Sequence, residues 1–319
     1  MVPGARQRRG GERGALLAAT MDAGVDVNVG QLWRRIHRWP RSLRWSLKGG
    51  VLLITVLLTL FPRFWLVPVW VGRLRHLNAV VDPNYPGLAG LEAQVAAWAG
   101  KDAGLADVLR PVEETVYQRI PYAYDWETWG VVDYVPTVAE VFVMGREDCD
   151  GRAVVAASLL QRLGYDAWLV TDLKHTWVVV CDRAAIEPVQ YELMAPGEGE
   201  KTLTAGAAGT RVNLTLATVR NLGRATMFGM SVFPLSRELI ILAAVVVTAV
   251  QPHSSGWRRS VGGLMLLAAL LLLRGAGALK ETEVAWWVCG AGGWAAVIAG
   301  WSLLAVKAAG RRSLPGPLR

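Results

Sequence analysis

Apolar residues in this chain come in two forms: unbroken runs, and runs interleaved with polar positions at helical or strand spacing. Gly49 to Gly72, GGVLLITVLLTLFPRFWLVPVWVG, is interrupted only by Arg63, Pro62 and Pro68, and is long enough for one tilted membrane helix. Three further runs crowd the C-terminal third: Phe233 to Gln251, Ser260 to Leu279 with Arg274 inside, and Val284 to Val306. The pattern predicts four spans. The second and third have uncharged cores of only twelve to fourteen residues, so a re-entrant pair, or a tight hairpin with snorkelling arginines, is the alternative. A cleaved signal peptide does not fit the first run, which 48 residues precede. In the last run Gly292, Ala296 and Gly300 form a stripe of small residues that permits close helix packing, within the chain or in a dimer.

Residues 77–221 have a different texture and suffice for one folded core. Leu91, Val95 and Trp98 recur at helical spacing. After a break at Lys101 so do Leu105, Val108, Leu109, Val112 and Val116, with Pro111 either opening or kinking a helix. The stretch IPYAYDWETWGVVDYVPTVAEVF reads as a loop that packs on something. Asp148 is a good N-cap; Cys149, Ala153, Ala156, Leu160 and Leu163 then follow one helical face up to Gly164. Ala167–Val170 and Thr176–Cys181 read as paired strands, and Ile186–Leu193 as a third after a turn at Asp182–Ala185. The predicted class is α+β, a helix packed on an antiparallel sheet, joined to about four membrane helices.

Composition agrees with this division. Of 319 residues 53% are hydrophobic and 19% charged, with a mean hydropathy of +0.30, which argues against a wholly soluble or disordered chain. The formal charge of +8 would suggest a nucleic-acid partner if it were spread evenly. Residues 1–48, however, hold ten basic and three acidic groups, net +7, and residues 73–236 hold fourteen basic and twenty acidic groups, net −6. No nucleic-acid partner is expected, and basic residues 31–48 read as a contact with lipid headgroups. The excess of Lys and Arg places residues 31–48, Arg258 and Arg259, and the tail 307–319 with Lys307, Arg311 and Arg312 on the cytoplasmic side. The acidic domain and the loop 274–283 then fall outside, in a plasma or inner membrane. Ten of the fifteen Trp residues lie in or beside the apolar runs, as interfacial anchoring requires. Residues 1–30, rich in Gly, Ala and Arg, are expected to be disordered, and Met1 and Met21 both stand as candidate starts.

The domain's chemistry centres on Cys149. A thiol nucleophile needs a thiolate, an imidazole partner, and a group to orient that imidazole. The first turn of a helix favours the thiolate through its free N–H groups, which can also face an oxyanion. If the turn after Cys181 closes a regular hairpin, Cys181 pairs with Ile186 and His175 stands opposite Glu192. Cys149, His175 and Glu192 then form a candidate triad, with Glu187 the second choice for the third position. Asp148 and Asp150 beside the thiol oppose its ionisation. Ser158, mid-helix and without a nucleophile elbow, excludes a serine triad. Cys149, Cys181, His175 and a carboxylate could be counted as zinc ligands, but no paired spacing supports them. Cys181 otherwise reads as strand core, or as a disulfide partner that would silence Cys149. Trp126, Trp129 and Trp177 read as core, with an acyl-substrate groove as the other option. No phosphate loop or calcium loop is present, and neither cofactor nor metal is expected.

The run YQRIPYAYDWETWGVVDYVPTVAEVFVMGREDCDGRAVVAASLLQRLGYDAWLVTDLKHTWVVV, with D-C-x-G-x-A, L-G-Y-x-A and H-T-W in order, resembles the core of the transglutaminase-like superfamily. The likeness covers about 80 to 90 residues, near Val116 to Pro196. It implies a papain-like fold, Cys149 as nucleophile and His175 as general base and acid. The family's third residue is usually an Asp on the next strand, often before a Pro; here Glu187 precedes Pro188, and no Asp occupies the strand. The expected function is a membrane-anchored thiol enzyme that attacks peptide or protein amides and resolves an acyl-enzyme with water or an amine. The alternative is a catalytically silent copy that binds a partner in the cell envelope.

Overall fold

The computed structural model of the chain describes residues 29–100, 103–172, 174–182, 189–195, 201–206, 209–252, 254–279 and 283–306. The segment 1–28, the tail 307–319 and Glu187 lie outside the described residues. The chain divides into two compact units, residues up to Gly50 and residues from Val51 onward. In the first, α1 (Val29–Ile36) precedes the start of α2 (Arg41–Leu60), and Lys48 Nζ lies 4.9 Å from the Trp33 ring and 5.6 Å from the Trp45 ring, a cation held over two aromatic faces.

The first apolar run is not a single helix. α2 begins ahead of it and stops at Leu60, and α3 (Leu66–Arg75) starts afresh beyond the break. Pro62 is the cause: it has no N–H to donate, and its ring drives Phe61 out of the helical region. Phe61 then turns inward, where it packs with Val131 and Tyr134.

The second unit continues through α4 (Leu88–Ala99) and α5 (Leu105–Arg119), which contains Pro111 in its interior. Two short helices follow, α6 (Asp125–Thr128) and α7 (Val138–Met144), the latter closed by a capping box between Thr137 and Glu140. This is the segment expected to be a packed loop, and its packing partner is the break after α2. Val132 N donates to Leu60 O at 2.9 Å, Trp70 Nε1 to Asp133 Oδ2 at 2.9 Å, and Arg73 pairs with Glu140 at 2.7 Å.

α8 (Cys149–Arg162) starts where its sequence requires. Asp148 Oδ1 accepts the Asp150 N–H at 3.0 Å, and Gly164 beyond the last turn takes φ +92°, a conformation only glycine adopts freely. Val154, Val155, Leu159 and Leu160 are fully buried, each worth about 1.5–3 kcal/mol when removed from water. They pack in one core with Leu169, Trp177 and Val178 of the sheet. That sheet comprises β1 (Asp166–Thr171), β2 (Thr176–Asp182), β3 (Val189–Leu193), β4 (Leu203–Thr204) and β5 (Arg211–Val212), ordered β3-β2-β1-β4-β5 with every pairing antiparallel. The domain is a mixed helical and antiparallel-sheet fold.

Four helices complete the chain: α9 (Leu216–Val232), α10 (Leu235–Ala249), α11 (Gly256–Ala278) and α12 (Val284–Ala305). Among the described residues three helices, α2, α11 and α12, are long and apolar enough to cross a membrane, or up to four crossings if residues 221–232 and α10 count as one broken span. The expected span 233–251 is thus not one straight helix of crossing length. α10 has 15 residues, about 22 Å at a 1.5 Å rise, short of a hydrocarbon core of about 30 Å. Pro234 bends the pair by 117°. Arg274 does not snorkel either: its guanidinium donates to the carbonyls of Met230, Ser231 and Phe233 at that bend and pairs with Glu238. A charge within an apolar helix is thereby satisfied by backbone that the broken helix leaves free.

Small residues set how closely these helices meet. A Cβ on Gly300 would fall 2.9 Å from Gly262 O, whereas one on Gly292 would make ordinary contact at 3.8 Å, so the stripe is used within the chain and only in part. Gly277 is the tightest point, since a Cβ there would overlap the Met227 carbonyl of α9, while Gly275 faces open space. Gly277→Ala should therefore cost about 1–3 kcal/mol by overpacking. Gly275→Ala, two residues away, should be neutral or stabilising by up to about 1 kcal/mol through helix propensity. Thermal unfolding of both variants in detergent reads the difference.

Candidate functional site

Cys149 opens α8, and the site is built where that helix tip meets the start of β2. The Cys149 thiol donates to Asp150 Oδ1 at 3.6 Å. The Thr176 N–H lowers the proton affinity of the thiol, and the Thr176 hydroxyl lowers that of the Asp150 carboxyl. Asp150 also feels the positive charge of His175, so this one carboxyl faces thiol, hydroxyl and imidazole together.

The tight turn between β1 and β2 fixes His175. Asp172 Oδ1 accepts the N–H groups of Lys174 and His175 at 2.9 and 2.8 Å, an Asx-type turn that delivers the histidine to the strand start. Its ring Nε2 lies 2.7 Å from Met194 O. A carbonyl only accepts, so Nε2 carries the proton and Nδ1 is the basic nitrogen of the neutral ring. Met194 has φ +62°, the left-handed region that a non-glycine residue seldom occupies. This conformation at the end of β3 accompanies the carbonyl's contact with the imidazole.

The expected hairpin register is corrected. Val179 pairs with Glu192 and Cys181 with Gln190, so His175 does not stand across from Glu192. Asp182 pairs with Val189, which leaves 183–188 as the connection, longer than the four-residue turn the count assumed. The displacement is an even number of residues and keeps the same side chains on the same face. Glu192 Oε1 instead binds Lys201 Nζ at 2.7 Å, with both side chains 39% exposed. The orienting contact expected of Glu192 is supplied by the Met194 carbonyl, and the acid nearest the thiol is Asp150. Backbone carbonyls carry no residue-type signal, whereas Asp150 was visible in the sequence and read only as an obstacle to ionisation.

Cys181 stays apart from the thiol. It lies five residues along β2 from Thr176, about 16 Å at strand rise, beyond the reach of a disulfide or a shared zinc ion. All three cysteines are free. Trp177 is fully buried in the core as expected. Trp126 is half-buried, stacked on Tyr124 at 4.2 Å and edge-on to Phe233, and Trp129 Nε1 donates to Glu147 Oε1. Neighbouring Tyr122 stays exposed beside the site.

Around the thiol the charge is almost all negative. Asp125, Asp133, Glu147, Asp148 and Asp150 crowd one region, and no Lys or Arg makes an ion pair with any of them among the described residues. Arg152 lies one turn along α8, but its guanidinium rests over the Tyr117 and Tyr122 rings and donates to Ile120 O. Burial first, then the charges of Asp148 and Asp150, push the Cys149 thiol well above its ordinary value, while the Thr176 N–H pulls the other way. Burial likewise raises Glu147 to about 7 and Asp133 to about 7. Gly151 makes room for this arrangement, because a Cβ there would lie 2.7 Å from Glu147 Cβ.

No family model, curated protein or solved structure matches this chain.

The raised carboxyls have a measurable consequence. Glu147 and Asp133 hold protons up to about pH 7 when folded, against ordinary values of 4.5 and 3.8. The folded state therefore binds more protons than the unfolded one between those limits, and its stability falls as pH rises. In chelating buffer the thermal midpoint should decline from about pH 4 through about pH 7, and Asp133→Asn should flatten part of the decline. A midpoint that climbs over that interval contradicts this assignment.

Proposed function

We propose that the chain is a membrane-anchored thiol acyl-transfer protein of transglutaminase-like type, in which Cys149 attacks an amide carbonyl. The observation that carries this reading is the Cys149 sulfur in the first turn of α8, 3.6 Å from Asp150 Oδ1, a carboxyl that also feels the charge of His175. The supporting features are a helix N-terminus beneath the sulfur, an imidazole with its Nε2 proton committed to Met194 O, and an exposed aromatic edge at Tyr122.

In this mechanism His175 Nδ1 and the Asp150 carboxyl share the proton that leaves the thiol. The thiolate adds to the carbonyl, and the N–H groups of the first turn of α8 face the developing oxyanion. Collapse expels the amine, which takes its proton from the imidazolium, and leaves a thioester on Cys149. Water then yields a carboxylic acid, or a second amine yields a new amide. The basic flanks of the spans support an orientation with both termini cytoplasmic and the domain on the opposite side.

A second reading has its own observation. The acids that raise the Cys149 thiol disfavour the thiolate, as fits a catalytically silent domain that binds an envelope partner. Labelling with a thiol-directed acylating probe separates the two. In a chain lacking Cys181 and Cys289, the enzyme reading expects Cys149 to label faster than a free thiol, with His175→Ala slowing it by about 10²–10⁴-fold and Glu192→Gln leaving the rate unchanged. Labelling no faster than a surface thiol, and indifferent to His175→Ala, leaves the binding module.

A further inference from the structure

One carboxylate oxygen from each of Asp125, Glu147 and Asp148 lies within 4.8 Å of the other two. Asp125 is 2% exposed. Its Oδ2 accepts the Tyr134 N–H at 2.7 Å, but its Oδ1 is buried without any hydrogen-bond partner. A native fold seldom leaves a carboxylate oxygen dry and unpaired, because the lost hydration is not repaid. The Arg152 guanidinium is held by two tyrosine rings and a carbonyl.

We propose that Asp125, Glu147 and Asp148 hold a divalent cation of the oxygen-preferring class, Ca²⁺ or Mg²⁺. Three carboxylates, with neither imidazole nor thiolate among them, are the donors that hard cations take. Each is fixed by a further bond, as ligands of a built site are: Asp125 by Tyr134 N, Glu147 by Trp129 Nε1 and by Asp148 N at 3.1 Å, and Asp148 by Asp150 N at 3.0 Å. The cation replaces the missing partner of Asp125 Oδ1 and neutralises charge that otherwise bears on Cys149. Its binding does not depend on the thiol being reactive, so the site and the thiol chemistry stand or fall separately.

The test uses the full chain in nanodiscs, stripped with chelator and titrated with Tb³⁺, a luminescent ion with the same taste for carboxylates. Trp129, bonded to Glu147, is the sensitising chromophore. Saturable tryptophan-excited Tb³⁺ emission is expected, displaced by Ca²⁺ or Mg²⁺. Asp125→Asn, whose amide still has an oxygen for Tyr134 N–H, and Glu147→Gln should each weaken it by more than the about 10–100-fold that loss of an outer-shell partner costs. Cys149→Ala and the exposed Asp107→Asn should leave it unchanged. Without any variant, the thermal midpoint of stripped wild type should rise on adding Ca²⁺ or Mg²⁺. The proposal is overturned if no saturable emission appears, if the midpoint does not move, or if Asp125→Asn and Glu147→Gln bind as wild type. Loss of binding in Cys149→Ala also overturns it, by assigning the ion to a thiolate-bearing set.

Discussion

Negative charge gathered at the tip of α8, which no Lys or Arg among the described residues answers with an ion pair, is the constraint around which the rest of the domain is arranged. Asp148 caps the helix, Glu147 folds back over Gly151, and Asp150 turns to the thiol. Asp125 and Asp133 are brought in by the segment between α5 and α7. The unpaired N–H groups of a helix start offset part of this charge, and hydrogen bonds from Trp129, Trp70 and Tyr134 offset more. What remains appears in the carboxyls themselves, which hold protons far above the range of an exposed acid.

The same segment connects the site to the apolar helices of the second unit. Trp70, which bonds Asp133, belongs to the helix that restarts after Pro62, and Arg237 at the start of α10 donates to Gly130 O at 3.0 Å. Trp126, close to the acid cluster, meets Phe233 just before the bend at Pro234. Two proline breaks in apolar sequence thus supply the surfaces on which the acid-bearing loop is folded. A displacement of either helix end would be felt at Asp125 and Asp133, because interiors this closely packed pass strain on.

Much of this was legible before any coordinates, and the reasons differ from element to element. Asp148, the periodic residues after it and Gly164 determine α8 locally, so its limits follow from capping and spacing alone. β1 and β2 were readable because a short turn joins two apolar runs, and α11 and α12 because they are simply long and apolar. The β2–β3 register was not, since it depends on a connection whose length composition does not reveal, and Glu192 was misplaced opposite His175 for that reason. Met194 could not have been found as the imidazole's partner, because the contact is made by a carbonyl that every residue has. Asp125 lies far from Cys149 in sequence, and only the fold shows that its carboxyl joins those of Glu147 and Asp148.

The thiol and the acids are electrostatically coupled, so whatever neutralises the acids removes the part of the thiol's upward shift that burial does not cause. Ultraviolet titration of the thiolate, in a chain whose only cysteine is Cys149, measures this coupling directly. With chelator present, Cys149 should ionise above the ordinary 9.0, and Asp148→Asn should bring the transition down. Ionisation at or below the ordinary value in the chelated wild type, unaffected by Asp148→Asn, would contradict the account.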